Sequence, residues 1–296
     1  MFQLAEGPFW DSARRRLHWV DITLGALFEG CVEGSHIDIT NERHFGCSVT
    51  AVVVAADGTL GVVLHDRIAV LHTDGGRSDG PRLVMADEDR RCNDASTDPR
   101  GRLLVGTMPL GTPSATEVLV RIGADGRVSM IDDDVRASNG LAWNVRGTLM
   151  YNVDTGLRRI HVREYDAMSG STGPRRTFVD FERGLPDGIA IDADDHVWVA
   201  VWGCGEVRRY APDGRLAASV AVPAANVTSV AFCGDDLRTL IVTTAAIDDA
   251  DRSDRFRPHG GRLFTIAVET PGTPVPYWTG LNDRPIHLNH HPEEHQ

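Results

Sequence analysis

Three distant stretches of this chain are written to one template: Asn93-Asp-Ala-Ser-Thr-Asp-Pro-Arg-Gly-Arg-Leu103, Asn139-Gly-Leu-Ala-Trp-Asn-Val-Arg-Gly-Thr-Leu149 and Asp187-Gly-Ile-Ala-Ile-Asp-Ala-Asp-Asp-His-Val197. Six times in all, a turn of the Asp/Asn/Gly type precedes a β-rich run. The first apolar residue after each turn serves as an anchor: Leu17, Leu60, Leu103, Leu149, Val197 and Leu240. The anchors are spaced roughly 43 to 48 residues apart, the period of a four-stranded propeller blade. Further turns between anchors, such as Thr73-Asp-Gly-Gly76, Ala124-Asp-Gly126 and Pro212-Asp-Gly214, leave room for four strands per repeat. The runs themselves, among them Ala51-Val-Val-Val-Ala55, Leu103-Leu-Val-Gly-Thr107 and Val197-Trp-Val-Ala-Val201, are β-branched and bounded by turn chemistry. An open solenoid would need polar capping repeats at both ends, and neither end reads as one. The expectation is an all-β, single-domain, six-bladed β-propeller over residues 1–287, followed by a polar, His-rich tail at 288–296.

Equivalent positions of a repeat become equivalent positions around a ring. Ten residues before the anchor lie Asn93, Asn139 and Asp187. The first repeat has a turn one residue longer, so eleven residues back gives Glu6; the second and sixth repeats offer Thr50 and Ser229. These side chains should surround one mouth of a central channel. The far ends of the second strands, at Asp21, His65, Met108, Asp154, Trp202 and Thr244, should form the wall around it. Two accounts of the polar positions stand side by side. An Asn-Gly or Asp-Gly pair is ordinarily a turn. Carboxylates aimed at a common axis, however, repel unless a cation or proton sits between them. Oxygen donors from Glu6, Asn139 and Asp187 suit a hard divalent ion such as Ca²⁺, Mg²⁺ or Mn²⁺, and carboxylates also bind zinc.

The formal charge of −12 argues against nucleic acid and anionic membranes as partners, because both select basic surfaces. No apolar run approaches a membrane span and no leader opens the chain, so a cytoplasmic setting is expected. The five cysteines are scattered and unpaired in sequence, which argues against a disulfide framework and suggests small buried hydrophobes. There is no G-x-S-x-G elbow around Ser48, Ser138 or Ser229, and no phosphate-binding glycine loop. Trp10, Trp19, Trp143 and Trp198 read as core residues, with Trp202 the one placed for a pocket wall.

Four segments carry a resemblance to a known family: Leu4-Ala-Glu-Gly-Pro-Phe-Trp10; Arg91-Cys-Asn-Asp94 with Gly106-Thr-Met108; Ser138-Asn-Gly-Leu-Ala-Trp143; and Leu185-Pro-Asp-Gly-Ile-Ala-Ile-Asp192. A fifth, Gly260-Gly-Arg-Leu-Phe264, lies near the end. Together, in order, they resemble the senescence marker protein-30 (regucalcin)/gluconolactonase family. The resemblance implies a six-bladed propeller with one divalent metal, Ca, Zn, Mn, Mg or Fe, held by Glu6, Asn139 and Asp187. It implies that Arg91 and Asn93 contact the substrate, a small-molecule lactone, commonly a sugar lactone. The chain departs from the family where Ala95 follows the Asn-Asp pair, and where Pro109–Thr116 lacks an acidic substrate contact. Only five residues precede Glu6, so ring closure should differ from that of the family or the start should lie further upstream.

The expected activity is metal-dependent lactone hydrolysis to an aldonic acid. The metal would polarise the carbonyl, Asp187 would act as catalytic base on water, and Arg91 and Asn93 would position the substrate. The alternatives are hydrolysis of non-sugar lactones or organophosphate esters at the same site, and a non-catalytic calcium-binding propeller. A monomer or small homo-oligomer is expected.

Overall fold

The structure, a computed structural model, describes residues 1–111, 115–246 and 259–282. It is built from strands, with one short 3-10 turn at Thr155–Leu157 among the described residues. The strands form six antiparallel sheets, each a contiguous piece of chain. Blade 1 runs Ala5–Asp11, Arg16–Asp21, Ala26–Glu33 and His36–His44; blade 2 runs Val49–Val54, Leu60–Leu64, Arg67–Leu71 and Arg77–Arg82. Blade 3 comprises Arg90–Thr97, Leu103–Pro109, Glu117–Ile122 and Val128–Val135. Blade 4 comprises Ser138–Trp143, Leu149–Asp154, Arg159–Glu164 and Arg176–Asp180. Blade 5 comprises Leu185–Ile191, Val197–Trp202, Glu206–Tyr210 and Leu216–Ala221. Blade 6 departs from the expected four: among the described residues it has Asn226–Cys233, Thr239–Ala245 and Phe264–Ala267. Each innermost strand contacts the next around the ring, and the sixth contacts the first, so the sheets close into a six-bladed β-propeller.

Burial follows position in the blade. The second strand Val197–Trp202 is buried at five of its six residues, because both of its faces meet neighbouring sheets. The outermost His36–His44 is almost wholly exposed. Six apolar clusters occupy the six seams between adjacent blades. The seam joining blades 6 and 1 holds Leu17, Trp19, Phe28, Cys233 and Ile241. Trp19 stacks there on Phe28 at 5.6 Å, and burying each such side chain contributes about 1.5–3 kcal/mol.

Closure uses both ends of the described chain. Phe2 donates its amide to the Gly261 carbonyl, the Gln3 carbonyl accepts from Ala246, and Leu4 bridges to Ala245. Between Phe264–Ala267 and residue 282 the described chain adds no fourth strand to blade 6. It crosses the face on which the innermost strands end, touching Ile191 and Leu237 through residues 272–273, Asp11 through Tyr277, Val54 through Trp278 and Gly101 through Thr279. This strap ties together five of the six blades. Residues 288–296, expected as a polar tail, lie outside the described residues.

The cysteines pair with nothing: all five are free thiols, with Cys92 and Cys233 buried and Cys31, Cys47 and Cys204 only partly so. The expectation of burial therefore holds for two of them. No helix among the described residues is long and apolar enough to cross a membrane.

Candidate active site

All six innermost strands start at the same mouth, and each carries a break in pairing near its start. The register with the second strand slips between Glu6 and Phe9, Val49 and Ala51, Cys92 and Ala95, Ser138 and Leu141, Pro186 and Ile189, and Val227 and Ser229. Such a bulge turns a side chain out of the pleat. Asn93, Asn139 and Asp187 all fall on one, and Glu6 sits one residue before its own. The Asn-Gly and Asp-Gly pairs are thus not turns, as their composition alone suggests; both lie inside buried strands. Their glycines answer to crowding. A Cβ on Gly140 would sit 2.6 Å from the Asp187 carbonyl oxygen, and one on Gly188 would sit 2.0 Å from Ser229 Oγ. Neighbouring strands approach so closely here that only hydrogen fits.

The structure brings Glu6, Asn139, Asp187, Arg91 and Asn93 together. Glu6 lies close enough to Asp187 to feel its charge, and the Asn139 side chain favours the charged form of the Asp187 carboxyl. Asn139 Nδ2 also lies 3.3 Å from Thr155 Oγ1, which in turn donates to the Pro186 carbonyl at 2.7 Å. The amide nitrogen is thereby directed to Thr155, leaving the carbonyl oxygen as its donor atom for a cation. Arg91 Nη1 donates to Asn93 Oδ1 at 2.7 Å and to the Cys92 carbonyl at 2.9 Å, while Asn93 Nδ2 donates to the Ser138 carbonyl at 2.8 Å. Thr50 and Ser229, the hydroxyl members of the expected ring, are buried, Thr50 on its bulge and Ser229 one residue after its own.

A sixth side chain belongs to this group, and the repeat count passed over it. Asp94 occupies the second bulge position, where the fourth and fifth blades have Gly140 and Gly188. Its signal was the Asn-Asp pair in a repeat whose other copies read Asn-Gly and Asp-Gly. Burial, weakly opposed by the Ala95 amide, pushes its carboxyl up to about 6. Burial and the charges of Asp187 and Asp94 likewise hold Glu6 well above the usual carboxylate range. Asp187 is raised by burial and by Asp94, against the Asn139 side chain and the charge of Arg91. Arg91 itself is lowered by burial, with Glu6 and Asp187 pulling the other way. Three acidic groups and one guanidinium share a poorly solvated space.

The wall residues behave differently from expectation. Asp21 and Asp154 are fully buried and face the backbone rather than the pocket. Asp21 accepts from the amides of Gln3, Leu4 and Leu24, and Asp154 from those of Arg136, Ala137 and Leu157. Each clamps the segment that enters an innermost strand, which is why a carboxylate is tolerated there. Thr244 is also buried, bonded to Arg262. His65 is exposed, and Met108 and Trp202 are half-buried at the same end of their strands.

The donor atoms of the acidic group are of the kind a hard divalent cation takes. Asp187 Oδ1 is buried and makes no hydrogen bond, so a coordination position there has no competitor. Carboxylate oxygens from Glu6 and Asp187 with an amide oxygen from Asn139 form an all-oxygen donor set. Asp192, Asp194 and His196 also offer ligand atoms within 4.8 Å of one another. Asp192 is already spent, however: it accepts from Trp198 Nε1 at 2.8 Å, Arg209 Nε at 2.7 Å, and the Asp194 and His196 amides at 3.0 Å.

Comparison with known proteins agrees with this architecture. Residues 4–246 match the family model for the SMP-30/Gluconolactonase/LRE-like region. Pentonolactonase XacC of Haloferax volcanii is 35% identical over 92% of this chain and 93% of its own. The 6-deoxy-6-sulfogluconolactonase of Pseudomonas putida is 31% identical over 94% and 95%. The crystal structure of the calcium-binding protein regucalcin from Agrobacterium tumefaciens superimposes with a TM-score of 0.85 at 28% identity, covering 94% of both chains. With the whole ring matched and the motifs in order, the chain belongs to the SMP-30/gluconolactonase/LRE-like family.

Proposed function

We propose that this protein is a metal-dependent lactonase that opens a sugar lactone to its aldonic acid. The observation that carries this reading is the Glu6–Asp94–Asp187 group, with Glu6 and Asp187 buried, Asp94 partly so and one Asp187 oxygen unpartnered, in a chain related to two lactonases. Glu6, Asn139 and Asp187 would hold one divalent ion, with Asp94 adding negative charge to the site. When bound, that ion supplies Lewis acidity toward the ester carbonyl.

The chain's own groups supply the rest. Water adds to the carbonyl carbon, the ring C–O bond breaks, and the ring oxygen leaves as a hydroxyl. The Asp187 carboxylate takes the proton from the attacking water and returns it to the ring oxygen as the C–O bond breaks. Arg91, held by its bond to Asn93 Oδ1, keeps its remaining N–H groups for the lactone carbonyl and ring hydroxyls. Close packing at Gly140 and Gly188 fixes the bulges, so the carboxylates do not have to be ordered when substrate arrives.

The test is a pH-stat screen of aldonolactones with metal-stripped protein reloaded with Ca²⁺, Mn²⁺, Mg²⁺, Zn²⁺ or Fe²⁺. Ring opening that depends on metal and is lost in Asp187→Ala is expected. Equal turnover with and without metal would overturn the reading. A cation-binding role without hydrolysis is the second reading, favoured by the likeness to a calcium-binding protein. Tight Ca²⁺ binding with no lactone opened across the panel would select it.

A further inference from the structure

Beneath the acidic group the channel changes character. A cavity of about 400 Å³ continues along the axis, within the range of small-molecule sites. Its walls are the inner strands: Phe9, Val52, Leu141, Ile189, Val230 and Phe232. Its inner end is bounded by the bulge residues Gly7 and Asp94 and by Ser229, next to the bulge of blade 6. The exposed residues among its lining, Ser12, Val145, Arg146, Pro274 and Val275, all lie where the innermost strands end or on the strap. The cavity therefore opens on the face opposite Glu6 and Asp187.

Two features define what would fit. Trp10 and Trp143 line this cavity, and the indole N–H of each is buried without a hydrogen-bond acceptor. An unmet buried donor favours a partner that brings an acceptor. At the inner end the charged side chain is Asp94, a carboxylate, so an anionic guest would be repelled. Among the described lining residues the one cation, Arg146, sits exposed at the opening, where water screens it.

We propose that this cavity is a second ligand site, distinct from the lactone site, for a small uncharged apolar molecule that carries a hydrogen-bond acceptor. The strap residues Thr273–Pro276 form one wall, so the site exists only where the chain crosses the ring. Because its inner end is made by Gly7 and Asp94, a bound guest touches the same bulges that aim Glu6 and Asn93 at the opposite mouth.

The probe is Prodan, a neutral naphthyl ketone whose emission moves to the blue in apolar surroundings. Titrating it into the full-length protein should give one saturable site, blue-shifted emission and energy transfer from tryptophan. Val275→Trp, at the rim of the opening, should weaken binding at least tenfold. Ser96→Phe, which places a ring inside the cavity, should do the same and stands in if the first variant misfolds. Circular dichroism and the melting temperature establish that each variant is folded. Absence of saturable binding, or wild-type affinity in both folded variants, would overturn the proposal. The readout is binding rather than turnover, so a failed lactonase assay leaves this result unaffected and the reverse.

Discussion

The two ends of the innermost strands carry the same residue type under opposite conditions. Where the strands end, Asp11, Asp98 and Asp192 are fully buried yet richly bonded. Asp98 accepts from the Arg100 and Arg102 amides, the Arg102 guanidinium and the Tyr165 hydroxyl. Asp11 accepts from Arg14 and Tyr277; burial raises its carboxyl, but those bonds outweigh burial and hold it below its ordinary value. Where the strands begin, Glu6, Asp94 and Asp187 are raised, and Asp187 keeps an oxygen unpartnered. Carboxylates at the first end are mortar. At the second they are held in a state that a cation would relieve, which is the condition the proposed function draws on.

The comparison predicts opposite outcomes for similar substitutions. Asp187→Ala should lower lactone turnover by about a hundred- to a thousandfold, the range seen when a preorganised electrostatic group is removed, and should weaken metal binding; steady-state rates and calorimetry check both. Near-normal rates would break the contrast. Asp192→Ala at the other end should instead cost about 3–5 kcal/mol of stability by orphaning Arg209 and Trp198, read by denaturant unfolding, with the mouth left intact.

Metal addition sharpens the same point. Saturating cation should raise the melting temperature of wild-type protein, by about 2.7 kcal/mol of stability at a hundred times Kd, and should do little for Glu6→Gln/Asp187→Asn. That double variant, stripped of metal, should be no less stable than wild type, because it removes like charges rather than a bonded pair. Acid unfolding probes the mortar. The folded carboxyl of Asp11 is depressed, so its stabilisation is present above an unfolded pKa of about 3.9 and is lost as pH falls through the lower folded value. Tyr277→Phe should remove part of that acid-sensitive stability and cost about 1 kcal/mol near neutral pH, measured by unfolding at several pH values.

Much of this was readable along the chain because repetition carries geometry. Anchors at Leu17 through Leu240 located every second strand, and each does lie at or beside such a strand's start. The constant offset located Asn93, Asn139 and Asp187 on equivalent bulges. Outer strands such as His36–His44 were not legible, since they are exposed and carry no apolar alternation. The walls at Asp21 and Asp154 were misjudged because a carboxylate at a strand end looks alike whether it faces a pocket or three amides. Asp94 was missed because a bulge has two outward positions and the count followed only the first.

The amino-acid sequence by itself determined the number of blades, their phase and the chemistry offered at one mouth, because each of these is a local pattern repeated at a fixed interval. Tertiary structure alone decided which carboxylates are satisfied and which are left facing one another. Solvation and hydrogen-bond supply depend on neighbours far away in the chain: Tyr277 for Asp11, Tyr165 for Asp98, and Asp187 itself for Glu6. The strap across the ring and the cavity it walls belong to the same class, because no period in the chain announces a segment that leaves the repeat.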